Sequence, residues 1–224
     1  LIEAEIADYG TSLGKVSFAV DGKGTPNMNA LRLTLDEFYA IEAIRGLDKA
    51  QAFSRDIFIL MSYTGLRIGD ALAITSKKSF SVEETVDDLE VGTFYNKKTS
   101  KHVLSFLLPP SKAILEKYSW NMGRYEEQSL NRNLKLIAQK AGITGEKIIY
   151  KKKAAEQIQD TKERAELLTC HSGRRTFATL GVELGIPEEV INLVLGHSSK
   201  EMTKKYIIIN NAEKITRCSV PHRL

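Results

Sequence analysis

Residues 171–179 read His171-Ser172-Gly173-Arg174-Arg175-Thr176-Phe177-Ala178-Thr179, and the architecture follows from them. Their apolar positions suit a helix over residues 172–184. On a helix, residues three and four apart share a face. One imidazole, His171, and one guanidinium, Arg174, therefore point at one spot. Arg175 shares that face as well, so spacing alone does not choose between Arg174 and Arg175. Taken by itself the stretch is an ordinary solvated helix start, and it gains meaning only beside three other segments.

Upstream lies Thr64-Gly65-Leu66-Arg67-Ile68-Gly69-Asp70. A helix over residues 49–63, with Phe53, Ile57, Leu60 and Met61 on one face, stops at Thr64-Gly65, glycine being the usual residue just past a helix end. Arg67 then stands at the mouth of a turn, where its planar fork can hold two phosphate oxygens. Asp70, three residues on, can fix it by a salt bridge. Downstream, Pro187, Glu188 and Glu189 open a helix; proline suits its first position and acids suit its dipole. That helix ends at Gly196, and His197 follows. Thr203-Lys204-Lys205-Tyr206 closes the series on a last helix over residues 200–208. One tyrosine among eight says little by itself.

The rest of the chain reads as mainly α with small antiparallel β-sheet. Residues 1–29, rich in glycine and ending near Pro26, are a linker or the end of a preceding domain. Thr34 and Glu37 form a capping box ahead of Phe38, Ile41 and Ile44. Residues 90–108 alternate as strands around a polar tip, Lys97-Lys98-Thr99-Ser100-Lys101. Pro109-Pro110 opens a helix reaching about Trp120, and another covers residues 129–141. Residues 147–150 and 166–169 are expected to pair as a second hairpin.

The chain carries 32 Lys and Arg against 28 Asp and Glu, a net charge of +4. That mild excess fits a polyanionic partner without requiring one. Cys170 and Cys218 make no disulfide framework or zinc pattern, and the four histidines have no metal-ligand spacing. No cofactor is implied. Without a signal peptide or an apolar run long enough to span a bilayer, a cytoplasmic protein is expected.

Together, Arg67, His171, Arg174, His197 and Tyr206 stand in the order and contexts of the tyrosine recombinase (phage-type integrase) family. The resemblance runs from about Asn29 to the end. Residues 64–70 resemble the family's first motif box; residues 171–179, 195–199 and Tyr206 resemble its second. Each box is weakly specific, but all of them correctly ordered are strongly so. Gly69 departs from the usual serine or alanine, and Arg175 from a histidine that often follows the second arginine. The hairpin before Cys170 is longer than in minimal members and resembles that of mobile-element integrases.

The resemblance implies a DNA breaking-rejoining catalytic domain over residues 30–224, with residues 1–29 the remnant of an N-terminal core-binding domain and DNA binding weakened in its absence. Tyr206 would attack the scissile phosphate to form a 3′-phosphotyrosyl bond, without metal. Arg67 and Arg174 would neutralise the phosphate oxygens, and His171 and His197 would hydrogen-bond them or move the proton. The family's hairpin lysine matches Lys98 in the pair Lys98-Thr99; Lys97 and Lys101 are rivals. Asp70 would support the site. The implied partners are double-stranded DNA and three further copies in a synaptic homotetramer, with a monomer when free and scope for accessory DNA-bending proteins. Two other activities share these residues: strand relaxation of the type IB topoisomerase kind, and non-catalytic DNA-binding regulation.

Overall fold

The structure is a computed structural model describing residues 29–86, 89–96, 101–153 and 156–196. Thr34 caps α1 (Leu35–Ala43): its hydroxyl accepts from the Glu37 amide at 3.2 Å and the Glu37 carboxylate accepts from the Thr34 amide at 3.0 Å. Asp48 caps α2 (Lys49–Thr64) through the Gln51 amide. This helix is the spine of the core. Ile57, Phe58, Ile59, Leu60 and Met61 are all buried, so it is covered on every side rather than along one stripe. Asp56, buried midway, is matched by Arg55 at 2.7 Å, Lys117 at 2.6 Å and the Tyr118 hydroxyl at 2.8 Å. A buried carboxylate needs such partners.

Gly65 ends α2 in the left-handed region at φ 68°, its amide donating to the Met61 carbonyl at 2.9 Å. The short α3 (Ile68–Leu72) follows at once. Next comes an antiparallel sheet of β1 (Phe80–Val86), β2 (Leu89–Asn96) and β3 (Lys101–Leu107), in that order. β1 is a strand that the alternation over residues 90–108 does not announce. It joins through a register shift between Val82 and Glu84, where Gly92 of β2 lies so near the Ser81 carbonyl that no Cβ would fit.

α4 (Pro109–Lys117) stops short of Trp120, because Ser119 and Trp120 turn to positive φ. The turn buries the indole in the core. α5 (Glu127–Lys140) sets Leu130, Leu134 and Ile137 against α2. The second hairpin is not the one expected. β4 (Glu146–Lys153) pairs with β5 (Glu156–Glu163), whereas residues 166 and 167 lie in a single 3-10 turn and Leu168 is fully buried. β5 reads Glu-Gln-Ile-Gln-Asp-Thr-Lys-Glu, with one apolar residue, so its strand signal comes from pairing and not from burial.

α6 (Cys170–Glu183) lies along α2, and α7 (Glu188–Leu195) ends at Gly196 with φ 57°. Pro187 is the cap of α7 rather than its first helical residue. Gly173 lets α6 approach α2: a Cβ there would sit 3.0 Å from the Phe58 carbonyl oxygen and 3.2 Å from the Met61 Cβ. Among the described residues, no helix is long and apolar enough to cross a membrane. The helix expected over residues 200–208 lies outside the described residues.

Candidate active site

Arg174 decides the arrangement. Its side chain is fully buried, and its two terminal nitrogens donate to the carbonyls of Gly65 and Leu195. Those carbonyls belong to the C-terminal ends of two helices, α2 and α7, where carbonyls lack partners within the helix. One planar guanidinium satisfies both ends. It thereby fixes the turn that carries Arg67 against the corner that leads into His197. Phe177, one turn along α6, and Val194 of α7 close around Gly65, where a Cβ would meet them at 3.0 and 3.1 Å.

β3 holds the same turn from the other side. The Ser105 hydroxyl donates to the Thr64 carbonyl at 2.9 Å, and Phe106 packs on Phe177 with ring centroids 5.8 Å apart. Ser105 is a positioning residue that strand alternation alone did not single out; burial of a serine inside a strand is its only sign. Gly173 is a second, and a glycine in mid-helix is the sequence signal for such a close approach.

Arg67 caps α3 with its backbone. Its carbonyl accepts from the amides of Asp70 and Ala71 at 3.0 and 2.9 Å, and its side chain is exposed. Asp70 is buried. Burial raises its carboxyl pKa, and the charges of Arg67 and Arg174 act against that rise without cancelling it. Both guanidinium charges thus act on this buried carboxyl.

His171 sits in the first turn of α6, following a capping box between Thr169 and Ser172. The ring keeps an exposed edge, yet its pKa falls to about 4. Loss of hydration on its protein side comes first among the causes, then the charges of Arg175, Arg174 and Arg67. Three cations around one imidazole favour its neutral form. A neutral imidazole can accept a proton, which an imidazolium cannot. Cys170, next to it, is buried with its thiol pushed up to about 12 by burial and Glu127, so it is no nucleophile.

Arg67, Asp70, His171 and Arg174 therefore converge. Arg175 points its charge at the same histidine but is not the residue that bridges the two helix ends, which separates two residues that spacing left equivalent. Lys97, Lys98, His197 and Tyr206 lie outside the described residues. Lys101 opens β3 opposite Asn96. Among the described residues, no group of three or more His, Cys, Asp or Glu side chains is placed to hold a metal.

The fold is one that solved DNA recombinases share. An XerH site-specific recombinase, bound to a palindromic difH substrate in a post-cleavage complex, superposes with a TM-score of 0.55 at 16% identity, over 83% of this chain and 50% of that one. XerA recombinase gives 0.57 at 19% identity, over 86% and 66%. The Tn1549 transposon integrase in complex with circular intermediate DNA gives 0.52 at 14%, over 85% and 67%. The chain thus spans about half to two thirds of the length of these structures. No curated protein matches the sequence. The phage integrase family model matches residues 32–213, and the chain belongs to that family. Its architecture, mainly helical with small antiparallel sheets, is that of the tyrosine recombinase catalytic domain.

Proposed function

We propose that the protein is a site-specific DNA recombinase of the integrase kind, which cuts and rejoins double-stranded DNA through a 3′-phosphotyrosyl bond to Tyr206. The observation that carries the proposal is the Arg174 bridge between the Gly65 and Leu195 carbonyls. It ties the turn before Arg67 and the end of α7 to the helix that carries His171.

Transfer of a phosphoryl group asks chiefly for positioning and for positive charge around the non-bridging oxygens. Arg67, whose side chain is exposed, supplies that charge at the phosphate, and buried Arg174 adds its positive charge from behind while it holds the site together. A tyrosine hydroxyl, with a reference pKa of about 10, is a poor nucleophile at neutral pH. The guanidiniums favour the phenolate. His171, held neutral, accepts the phenolic proton or a phosphate hydrogen bond, and His197 donates to the same phosphate. Tyr206 Oη then bonds to phosphorus as the P–O5′ bond breaks, with Lys98 protonating the departing 5′ oxygen. A 5′ hydroxyl from a second strand reverses the step, and the phosphodiester energy is conserved in the phosphotyrosine.

In this reading residues 30–224 are the catalytic domain, and residues 1–29 lead from a core-binding domain. Four copies act around two duplexes. The experiment is a nicked suicide duplex incubated with the protein in EDTA and run on a denaturing gel. A covalent protein–DNA adduct that Tyr206→Phe abolishes supports the proposal. An adduct that survives the substitution assigns another nucleophile, and intact DNA binding without any adduct supports a regulator on the same fold.

A further inference from the structure

Of the residues that converge on the site, His171 is the one carried by the first turn of α6. The amides of a helix's first turn have no acceptor within the helix, and such ends fray. From Gly173 on, α6 is held elsewhere: Gly173 lies against the Phe58 carbonyl, and Arg174 bridges Gly65 and Leu195. The turn ahead of them needs its own fastening. Part of it is local, since the Thr169 amide donates to the Ser172 hydroxyl at 3.1 Å. Another part comes from α5. The Cys170 amide donates to the side-chain carbonyl of Asn131 at 2.7 Å, across 39 residues of chain. An amide N–H only donates, so the oxygen of Asn131 and not its nitrogen faces it. Consecutive Cα atoms are about 3.8 Å apart, so fixing the Cys170 amide fixes where the His171 side chain leaves the helix. Asn131 and Lys135 stand one turn apart on the same face of α5. Lys135 pairs with Glu166 at 3.3 Å, in the 3-10 turn over Ala165–Leu167 that precedes α6. Both partners of that pair are well exposed, and such pairs contribute little. Asn131 bonds the amide of a fully buried residue and is the firmer hold of the two.

We infer that Asn131 is a positioning residue: its carbonyl holds the first turn of α6 closed and thereby keeps the His171 imidazole in the site. The inference rests on the reading of His171 as the group that takes the phenolic proton or bonds the phosphate. A proton acceptor works only within about 2.6–3.2 Å of the atom that gives up the proton, a tolerance that a frayed turn exceeds. The residue type fits that task. At a helix N-terminus aspartate accepts as well as asparagine, and it gains from the helix dipole besides. A carboxylate bonded one residue from His171 would also favour the imidazolium. Asparagine supplies the acceptor without the charge.

The test compares the unsubstituted chain with Asn131→Ala, Asn131→Asp and Asn133→Ala. Asn133 lies on the same helix but donates to the Ser54 hydroxyl of α2 at 3.0 Å, so its loss reads the packing of α5 alone. Two quantities are measured at about pH 8: the His171 ring resonances in isotope-labelled protein without DNA, and the initial rate of covalent adduct on the nicked suicide duplex. Asn131→Ala is expected to shift the ring resonances and to slow the adduct by about 10–100-fold, the range that a displaced acid–base group costs. Asn133→Ala leaves both unchanged, whatever it does to the melting temperature. Asn131→Asp restores the rate, because the imidazole is neutral at this pH; as the pH falls, its rate drops before that of the unsubstituted chain does. Unchanged resonances and an unchanged rate in Asn131→Ala overturn the inference, as does an equal loss in Asn133→Ala. If Asn131→Ala does not fold, Asn131→Gln replaces it, since the extra methylene moves the carbonyl off the Cys170 amide while the side chain stays polar. Shifted resonances in Asn131→Ala with no adduct from any of the proteins reject the recombinase reading and keep the anchor. Unshifted resonances with full adduct throughout do the reverse.

Discussion

Replacing Arg174 with alanine removes a staple between two helix ends, and its cost can be worked from the bonds it makes. The side chain is fully buried and donates to the Gly65 and Leu195 carbonyls, both on buried residues. A hydrogen bond involving a charged group contributes about 1.5–3 kcal/mol, so two give about 3–6 kcal/mol. Against this, burying a guanidinium carries a desolvation penalty of several kcal/mol, which the alanine variant no longer bears. The variant also leaves two carbonyls buried without that donor, at about 1–3 kcal/mol each. The net expectation is a loss of about 2–4 kcal/mol. For a domain of this size that is a fall in Tm of about 5–15 °C. Arg174→Lys keeps the charge but cannot span both carbonyls, so it should fall between wild type and alanine. Urea unfolding at fixed pH, with unchanged m-value, is the assay. Wild-type stability in Arg174→Ala, within about 0.5 kcal/mol, would refute the staple and with it the reason for the convergence of Arg67 and His171.

Three further expectations can be checked separately. His171, with its pKa lowered to about 4, should stay neutral from pH 5 to 8 in an NMR titration. Because the unfolded chain binds that proton near pH 6.5 and the folded one does not, stability should fall as pH drops from about 6.5 to about 4; titration near 6.5 in the folded state would contradict this. Gly173→Ala should cost about 1–3 kcal/mol, since its Cβ would press on the Phe58 carbonyl and Met61, and a variant as stable as wild type would mean that α2 and α6 part easily. If Lys98 protonates the leaving 5′ oxygen, Lys98→Ala should be rescued on a substrate with sulfur at that position, because a thiolate leaves unprotonated; rescue of Lys97→Ala or Lys101→Ala instead would move the role.

What the sequence made legible were features set by local chemistry. The Thr34–Glu37 box, the Gly65 and Gly196 stops and the helical placement of His171 beside Arg174 all depend on residues within a turn or two of each other. The features that escaped depend on distant partners. β1 becomes a strand by pairing with β2, and its own pattern, Phe-Ser-Val-Glu-Glu-Thr-Val, breaks alternation at the bulge. β5 has almost no apolar residues, so the sequence points instead to Glu166-Leu167-Leu168-Thr169 as the partner of β4, whose leucines serve the core. The choice between Arg174 and Arg175 needed the positions of Gly65 and Leu195, which lie 109 and 21 residues away from Arg174. The same holds for Asn29, whose side chain makes two 2.7 Å bonds with the Tyr150 backbone and so ties the start of the domain to β4.

The most direct test of the central claim is covalent capture on a nicked duplex in EDTA, followed by protease digestion and mass mapping of the DNA-bearing peptide. One adduct is expected, with the 3′ phosphate on Tyr206, absent in Tyr206→Phe and strongly reduced in Arg67→Ala. A 3′ phosphate found on any other residue, or an adduct indifferent to Arg67, would contradict it.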